Sequence, residues 1–256
     1  MKGNLFSVED KKIIFTGASG GLGQGMSQGL LEAGAEVVLI GASKKCLKLA
    51  EDYRAKGYKA HGLQAELADG YTVKEAFERA LKILGGEVDV LVNAAGIQRR
   101  HPSQEFPVED WEAVLDINLS VPFMLCQLAG RKMIEQGKGG KIINFASMLS
   151  FFGGYTVPAY AASKGGIAQL TKALCNEWAG YGINVNAVAP GYMNTPMNAA
   201  LTDPANPRYK EITDRIPAGR WGRPEDMKGI GIFLASAASD YINGAVIPVD
   251  GGYLSR

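Results

Sequence analysis

The sequence predicts an α/β protein built on one doubly wound parallel sheet. Short apolar runs rich in β-branched residues alternate with longer amphipathic segments along nearly the whole chain. Several of these runs are apolar throughout, as in strands buried on both faces of a parallel sheet. Their alternation with helical segments predicts right-handed βαβ crossovers that place helices on both faces of the sheet.

The predicted elements follow one another in a regular order. Seven strands are expected at Lys12–Thr16, Glu36–Ile40, Ala60–Leu63, Val88–Asn93, Lys141–Ala146, Ile183–Ala189 and Ala245–Val249. Helical patterns lie between them, at Gly21–Ala33, Lys44–Lys56, Tyr71–Leu84, Glu109–Gln136, Pro158–Gly180 and Pro224–Ser236. No linker or change of composition divides the chain, so we expect residues 1–256 to form a single domain.

Residues 191–223 are the exception to this alternation. The segment is rich in Pro, Asn and charged residues, and it has no clear hydrophobic period. It directly follows a predicted strand end, where long connections are often functional. We therefore expect a lid over a substrate site, and a disordered surface insertion is the alternative.

Composition limits the partners that the protein can have. The 256 residues are 46% hydrophobic and 21% charged, with a net charge of +1. This balance gives no electrostatic reason to expect a nucleic acid or a membrane as partner, and no apolar run long enough to span a bilayer is evident. Three scattered cysteines without metal-ligand spacing predict no metal site and a reduced interior. Charges near the amino terminus argue against a signal peptide, so we expect a cytoplasmic protein.

A glycine-rich turn follows the first strand, in the stretch "FTGASGGLGQG". Gly17, Gly21 and Gly23 would let the backbone approach a pyrophosphate, whose charge meets the N–H groups at the start of the next helix. Such a turn is a weak signal alone, but its place in the α/β pattern favours dinucleotide binding in a Rossmann domain.

The end of the second strand bears on which dinucleotide binds. Gly41 stands where an acidic residue would contact the 2′-hydroxyl of NAD. Without that acid a 2′-phosphate is not repelled, and Ser43 or the lysines at 44 and 45 could attract it. The residues alone leave NAD and NADP open.

Four polar residues are candidates for catalysis. Tyr160 and Lys164 lie four positions apart, on one face of a predicted helix. Taken alone, the pair could be a boundary tyrosine with a snorkelling lysine. Ser147, just beyond a strand, and Asn118 would lie near the carboxyl ends of the strands, where open α/β sheets bind ligands. The four could therefore converge beside a nicotinamide.

Together these motifs resemble the short-chain dehydrogenase/reductase family. The order T-G-x-x-x-G-x-G, N-A-A-G, Ser147, Y-x-x-x-K, "PGYMNT" and "VDGG" runs from Thr16 to Gly252. The resemblance implies that Tyr160 is the general acid/base, that Lys164 lowers its pKa and holds the nicotinamide ribose, that Ser147 binds the substrate oxygen, and that Asn118 anchors a water relay. It also implies cofactor contacts from Gly17, Ser19, Gly21, Leu22, Gly23, Ser43, Glu66, Leu67, Asn93, Ala94, Gly96, Tyr160, Lys164, Pro190, Gly191, Met193 and Thr195.

Two positions depart from the family pattern. The usual N-N-A-G motif reads Asn93-Ala94-Ala95-Gly96, which keeps only the first asparagine. Glu66 replaces the aspartate that usually contacts the adenine, and its longer side chain need not reach the same atom.

Substrate contacts are expected from the loops around these residues. Arg99 and Arg100 follow the N-A-A-G turn and suit a carboxylate, with a surface or interface pair as the alternative. Met148 and Tyr155 could shape the pocket wall. Several segments after Val88 resemble the sugar-acid dehydrogenases of this family, which generally use NAD, so we expect an NAD-dependent enzyme acting on a sugar acid. The alternatives are a dehydrogenase that acts on gluconate at carbon 5, a reductase of carrier-protein-bound acyl groups, and a non-catalytic dinucleotide-binding protein. The family resemblance also implies a homotetramer.

Overall fold

A parallel sheet forms the centre of the structure. The structure is a computed structural model that describes residues 4–256. Within residues 4–256, seven parallel strands are arranged in the order β3-β2-β1-β4-β5-β6-β7. They are β1 (Lys12–Thr16), β2 (Glu36–Gly41), β3 (Ala60–Gln64), β4 (Val90–Asn93), β5 (Gly140–Phe145), β6 (Ile183–Pro190) and β7 (Val246–Val249). The predicted doubly wound fold is confirmed, and every strand end lies within two residues of the predicted one.

Helices cover both faces of the sheet. Those described are α1 (Gly21–Glu32), α2 (Lys45–Ala55), α3 (Gly70–Ile83), α4 (Val108–Leu115), α5 (Val121–Gln136), α6 (Pro158–Trp178), α7 (Ala199–Thr202), α8 (Pro207–Arg215) and α9 (Lys228–Ala235). Alternate residues of one strand serve opposite cores. Phe15 packs in the cluster that contains Met26 of α1, whereas Ile14 packs in the cluster that contains Leu125 of α5. Burial on both faces explains why the strands are apolar at successive positions.

The strand order reverses between β1 and β4. The chain first builds β1, β2 and β3 in one direction and then continues with β4 on the other side of β1. Thr16, the last residue of β1, pairs with Ile40 of β2 and with Asn93 of β4. Connections leave this point to opposite faces of the sheet, which opens a crevice at the carboxyl ends of the strands.

The predicted helix Glu109–Gln136 contains an irregularity that the sequence pattern did not indicate. A π-helical turn, Asp116–Ser120, separates α4 from α5 and carries Asn118. By length and composition alone, the continuous segment Val108–Gln136 could cross a membrane, contrary to the expectation from the sequence. In the fold, its side containing Leu125 and Met133 is buried against the sheet, as in the core helix of a globular protein.

Residues 191–223 contain more regular structure than their composition predicts. The segment includes α7 and α8, and its two ends pair with each other. Asn194 N donates to Gly222 O at 2.8 Å, and Gly222 N donates to Tyr192 O at 3.0 Å. Trp221 stacks on Tyr209 of α8, with ring centroids 6.0 Å apart. The segment therefore forms a loop that leaves the end of β6 and is closed by hydrogen bonds between its two ends.

Candidate active site

A cleft of about 1020 Å³ lies at the carboxyl ends of the strands. Eighteen of the residues selected from the sequence line it: Gly17, Ser19, Gly21, Leu22, Gly23, Leu67, Ala94, Gly96, Arg100, Ser147, Met148, Tyr155, Tyr160, Lys164, Pro190, Gly191, Met193 and Thr195. Five do not line it, and these are Ser43, Glu66, Asn93, Arg99 and Asn118. The cleft thus joins the glycine-rich turn to the tyrosine and lysine of α6.

The glycine-rich turn leaves no room for side chains. Gly17 has φ +72°, and a Cβ there would lie 2.5 Å from the Ala95 nitrogen. A Cβ at Gly23 would lie 2.2 Å from the Gly17 carbonyl oxygen. The turn therefore brings bare backbone to the amino-terminal end of α1, where the N–H groups favour an anion. This geometry fits the pyrophosphate of a dinucleotide.

The cleft wall beyond β2 has a basic residue and no acid. Ala42 and Lys45 line the cleft next to Gly41. A Cβ at Gly41 would lie 3.1 Å from the Ser19 hydroxyl oxygen, so the position is closely packed. Glu66 is exposed outside the cleft, whereas its neighbours Ala65 and Leu67 line it.

Tyr160 and Lys164 lie on the same face of α6, as their spacing predicts. The Lys164 ammonium is 5.5 Å from the centre of the Tyr160 ring and donates to the Phe145 carbonyl oxygen at 2.6 Å. Lys164 is buried, and the carbonyl that holds it belongs to the last residue of β5. The strand end therefore fixes the position of the ammonium group.

Burial dominates the electrostatics of this pair. It lowers the pKa of the Lys164 ammonium from 10.5 to about 8. Burial also raises the pKa of the Tyr160 phenol, whereas the interaction with the Ser147 hydroxyl lowers this pKa by a smaller amount. The lowering of this pKa by Lys164, which the family resemblance implies, stays a prediction.

Ser150, which the sequence did not indicate, joins the segment that carries Ser147 to the helix that carries Lys164. The Ser147 hydroxyl accepts from Leu149 N at 3.1 Å, and Ser147 N in turn donates to the Ser150 hydroxyl at 3.3 Å. The Ser150 hydroxyl then donates to the Lys164 carbonyl oxygen at 2.6 Å. Only its hydrogen bond to Lys164, fourteen positions later in the chain, distinguishes Ser150 from an ordinary turn serine. The local sequence therefore gives no indication of its role.

Asn118 lies behind the cleft wall. Its amide oxygen accepts from Ile97 N at 2.8 Å, and its amide nitrogen donates to Ile97 O at 2.9 Å and to the Ser163 hydroxyl at 3.2 Å. The side chain thereby ties the loop after β4 to α6. Asn118 lies in the π-helical turn Asp116–Ser120, and such turns are frequent at functional sites.

Asn93 belongs to a buried polar network rather than to the cleft surface. Its amide nitrogen donates to the Asn144 amide oxygen at 2.9 Å, and Asn144 donates to the Thr171 hydroxyl at 3.1 Å. These contacts connect β4, β5 and α6. Asn93 therefore connects the strand ends beneath the cleft through its amide nitrogen, whereas its buried amide oxygen has no hydrogen-bond partner within residues 4–256.

The two adjacent arginines have different surroundings. Arg99 Nε lies 3.2 Å from Asp110 Oδ1, and His101 binds the other oxygen of that carboxylate at 2.7 Å. Arg99 thus has the surface ion pair that the sequence left open as its alternative, and its contact with substrate stays a prediction. Arg100 lines the cleft.

The end of the cleft near Met148 also includes residues that the sequence did not indicate. Tyr192 and Tyr253 line it, and so do Arg208 and Arg215 of α8. The Arg215 guanidinium lies 4.5 Å from the centre of the Tyr253 ring. Helical periodicity could have drawn attention to Arg208 and Arg215, which are seven positions apart, but α8 itself was not predicted.

Comparison with known proteins places the chain among dehydrogenases. A family model described as short chain dehydrogenase matches residues 11–206. The chain is 47% identical over 253 residues to the 2-dehydro-3-deoxy-D-gluconate 5-dehydrogenase of Dickeya dadantii, covering 99% of each protein. It is 40% identical to the 5-keto-D-gluconate 5-reductase of Escherichia coli K12, covering 98% of each.

A solved structure shows the same fold. The chain resembles a protein from Agrobacterium tumefaciens, described as a candidate 2-deoxy-D-gluconate 3-dehydrogenase with bound NADP, with a TM-score of 0.92. The two are 45% identical, and the match covers 99% of this chain and 100% of the other. The similarity thus extends over the whole cleft described above.

Proposed function

The chain belongs to the short-chain dehydrogenase family, and from this premise we propose that it is an NAD(P)-dependent dehydrogenase of sugar acids, with 2-dehydro-3-deoxy-D-gluconate 5-dehydrogenase as the leading activity. The observation that carries the proposal is the single cleft in which the glycine-rich turn, Ser147, Tyr160, Lys164 and Arg100 meet. The names of the relatives support the choice of substrate class.

The dinucleotide would occupy the side of the cleft next to α1. Gly17, Gly21 and Gly23 would receive the pyrophosphate at the amino-terminal end of the helix. Lys164 would hold the ribose hydroxyls next to the nicotinamide. When bound, the nicotinamide supplies or accepts the hydride. NAD remains our leading cofactor, and Lys45 together with the absence of an acid at Gly41 supports NADP as a second one.

The chain's own groups would handle the proton and the substrate oxygen. In the oxidative direction, Tyr160 would take the proton of the substrate hydroxyl while Ser147 donates a hydrogen bond to the same oxygen. Lys164 would stabilise the resulting phenolate through its positive charge. Asn118 would hold the loop at Ile97 and anchor the water that links Lys164 to solvent.

Arg100 would bind the carboxylate of the substrate, because a guanidinium can form a bidentate pair with it. Met148 and Tyr155 would form the adjoining wall. We further propose that residues 191–223 act as a lid within a single domain. In support, the ends of this segment pair with each other at Tyr192 and Gly222, and α8 lies along the cleft.

A homotetramer in the cytoplasm completes the proposal. Large apolar side chains are partly exposed along α4 and α5, namely Trp111 (37%), Phe123 (43%) and Ile134 (37%), and would be covered by a second copy. The buried free thiols of Cys46 and Cys126 suit a reducing compartment.

A panel of sugar acids tests the proposed function. The purified protein is assayed with 2-dehydro-3-deoxy-D-gluconate and with D-gluconate, each with NAD and with NADP. We expect the highest kcat/KM with 2-dehydro-3-deoxy-D-gluconate. A higher value for D-gluconate would favour the gluconate 5-dehydrogenase alternative, which the 40% identical relative supports. Turnover of neither compound would contradict the proposal.

A further inference from the structure

We propose that Arg208 and Arg215 of α8 form a carboxylate-binding subsite at the substrate end of the cleft, an inference that rests on the proposed action on a sugar acid. The subsite would add to Arg100 a second source of positive charge, carried by the segment 191–223. It would thus make recognition of an anionic substrate depend on the position of α8.

One face of α8 is directed at the cleft. Arg208, Ile212 and Arg215 line the cleft, and their spacings of four, three and seven residues place them on one side of a helix. Lys210 and Asp214 form an ion pair on the other side, with side chains 83% and 61% exposed. The orientation of the helix therefore assigns the two arginines to the cleft and leaves Lys210 in solvent.

Apolar contacts hold this face beside the catalytic serine. Ile212 is 4% exposed and packs in a cluster with Met148, Ile216, Trp221 and Tyr253. Met148 directly follows Ser147 in the chain. Ile212 thus holds α8 next to the turn whose Ser147 would bind the reacting oxygen of the substrate. The arginines of α8 are therefore close enough to contact another part of the same substrate molecule.

The Arg215 guanidinium is oriented by an aromatic ring. It lies 4.5 Å from the centre of the Tyr253 ring, and Tyr253 makes an edge contact with Tyr192 at 5.2 Å. A guanidinium over a ring keeps its N–H edge available for a carboxylate, and its side chain loses less freedom when an anion binds. Tyr253 therefore holds the Arg215 guanidinium in an orientation in which it can bind a carboxylate.

The charges in this region are not balanced within the protein. Arg99 and Arg220, outside the cleft, have carboxylate partners in Asp110 and Asp226. Among residues 4–256, no carboxylate oxygen lies within 4.0 Å of Arg208 or Arg215. Glu211 is the acid that shares their part of the cleft lining. Together with Arg100, the two arginines leave an excess of positive charge that an anionic substrate would neutralise.

Binding of a matched pair of probes tests the subsite without turnover. D-Gluconate and D-glucitol differ only in a carboxylate replaced by a hydroxymethyl group, and both are titrated by calorimetry into the protein saturated with reduced cofactor. We expect the wild type to prefer D-gluconate. Arg208→Met and Arg215→Met should each weaken D-gluconate binding by about 10- to 100-fold, the cost of losing a hydrogen bond to a charged group. Binding of D-glucitol should stay unchanged.

Lys210→Met on the solvent face of α8 is the matched control, and it should leave the binding of both probes unchanged. Equal binding of the two probes by the wild type, or unchanged D-gluconate binding in the arginine variants, would overturn the subsite. An equal loss for both probes would also do so, because it would indicate a displaced helix. Failure of the proposed function is seen separately, as the absence of sugar-acid turnover by the wild type.

Discussion

Ser150 connects the turn that carries Ser147 to the helix that carries Tyr160 and Lys164. Its hydroxyl accepts from the Ser147 backbone and donates to the Lys164 carbonyl at 2.6 Å. Because the proposed proton acceptor, Tyr160, and the proposed hydrogen-bond donor to the substrate oxygen, Ser147, lie on different segments, a small change in the separation of these segments would change the reaction geometry. We therefore regard Ser150 as a positioning residue.

Ser150→Ala should lower kcat about 10-fold, because a misplaced reacting group is costly even at small displacements. The Kd of the cofactor and the KM of the substrate should change little, and both are measured with kcat. Ser239→Ala is the matched control, since Ser239 is buried and donates to Leu234 O at 3.1 Å away from the cleft. If both variants lose equal activity, Ser150 has only a general structural role.

Lys164 makes the stability of the protein depend on pH. Burial lowers the pKa of its ammonium from 10.5 to about 8. Below pH 8 the ammonium is charged in both the folded and the unfolded chain, so the folded state bears the full cost of burying it. That cost is about 3 kcal/mol, at about 1.4 kcal/mol per pKa unit. Between pH 8 and 10.5 the unfolded chain binds more protons, so the free energy of unfolding rises with pH.

Lys164→Met should remove this dependence together with the activity. At pH 7 we expect the variant to be more stable than the wild type by up to about 3 kcal/mol, reduced by the lost hydrogen bond to Phe145. The difference should shrink as the pH rises from 8 towards 10.5. Urea unfolding at pH 7 and pH 9.5 measures it, and a difference that does not vary with pH would contradict the lowered pKa.

At the scale of elements, the loop between Ser150 and α6 holds a strained residue next to the cleft. Thr156 has φ +61°, a conformation that β-branched residues rarely adopt. The adjacent Tyr155 is 89% exposed and lines the cleft, and His101 N donates to Thr156 O at 3.0 Å. The contact with His101 thus holds the backbone next to Tyr155 at the edge of the cleft.

Thr156→Gly should increase the free energy of unfolding by about 0.5 to 1 kcal/mol, because glycine adopts positive φ without strain. Urea unfolding measures the change. Thr156→Val keeps the branched side chain and should bring no gain. Equal stability of the glycine and valine variants would show that the positive φ stores no strain.

The elements also show how far the sequence could be interpreted. The parallel strands were predictable because they are buried on both faces. Such burial requires apolar residues at successive positions, a pattern that can be recognised in the sequence of the strand alone. Helix α8 was not predictable, because the side that faces the cleft carries Arg208 and Arg215, and arginines in a sequence are usually interpreted as surface charges. Likewise, only the fold brings Asp110 to Arg99 and leaves Arg100 in the cleft. Contacts between distant segments decide such cases.

At the scale of the whole molecule, the apolar residues along α4 and α5 bear on assembly. Phe123 is 43% exposed on α5, where a second copy would cover it. Sedimentation of the wild type should give the mass of a tetramer, and Phe123→Asp should shift it towards smaller species, because a carboxylate is costly to bury in an apolar contact. Tyr71→Asp, at an exposed residue of α3, should not. A monomeric wild type would contradict the proposed assembly.

The central claim is that Tyr160 transfers the proton in the oxidation of a sugar acid, within a cleft whose binding of the dinucleotide depends little on the Tyr160 hydroxyl. The most direct measurement compares wild type and Tyr160→Phe in reduction of NAD or NADP by 2-dehydro-3-deoxy-D-gluconate, alongside the Kd of the cofactor from fluorescence titration. We predict that kcat falls by at least about 100-fold, the lower range of general acid–base contributions, while the Kd stays within a few-fold of the wild-type value. Retention of the wild-type kcat by the phenylalanine variant would contradict the account.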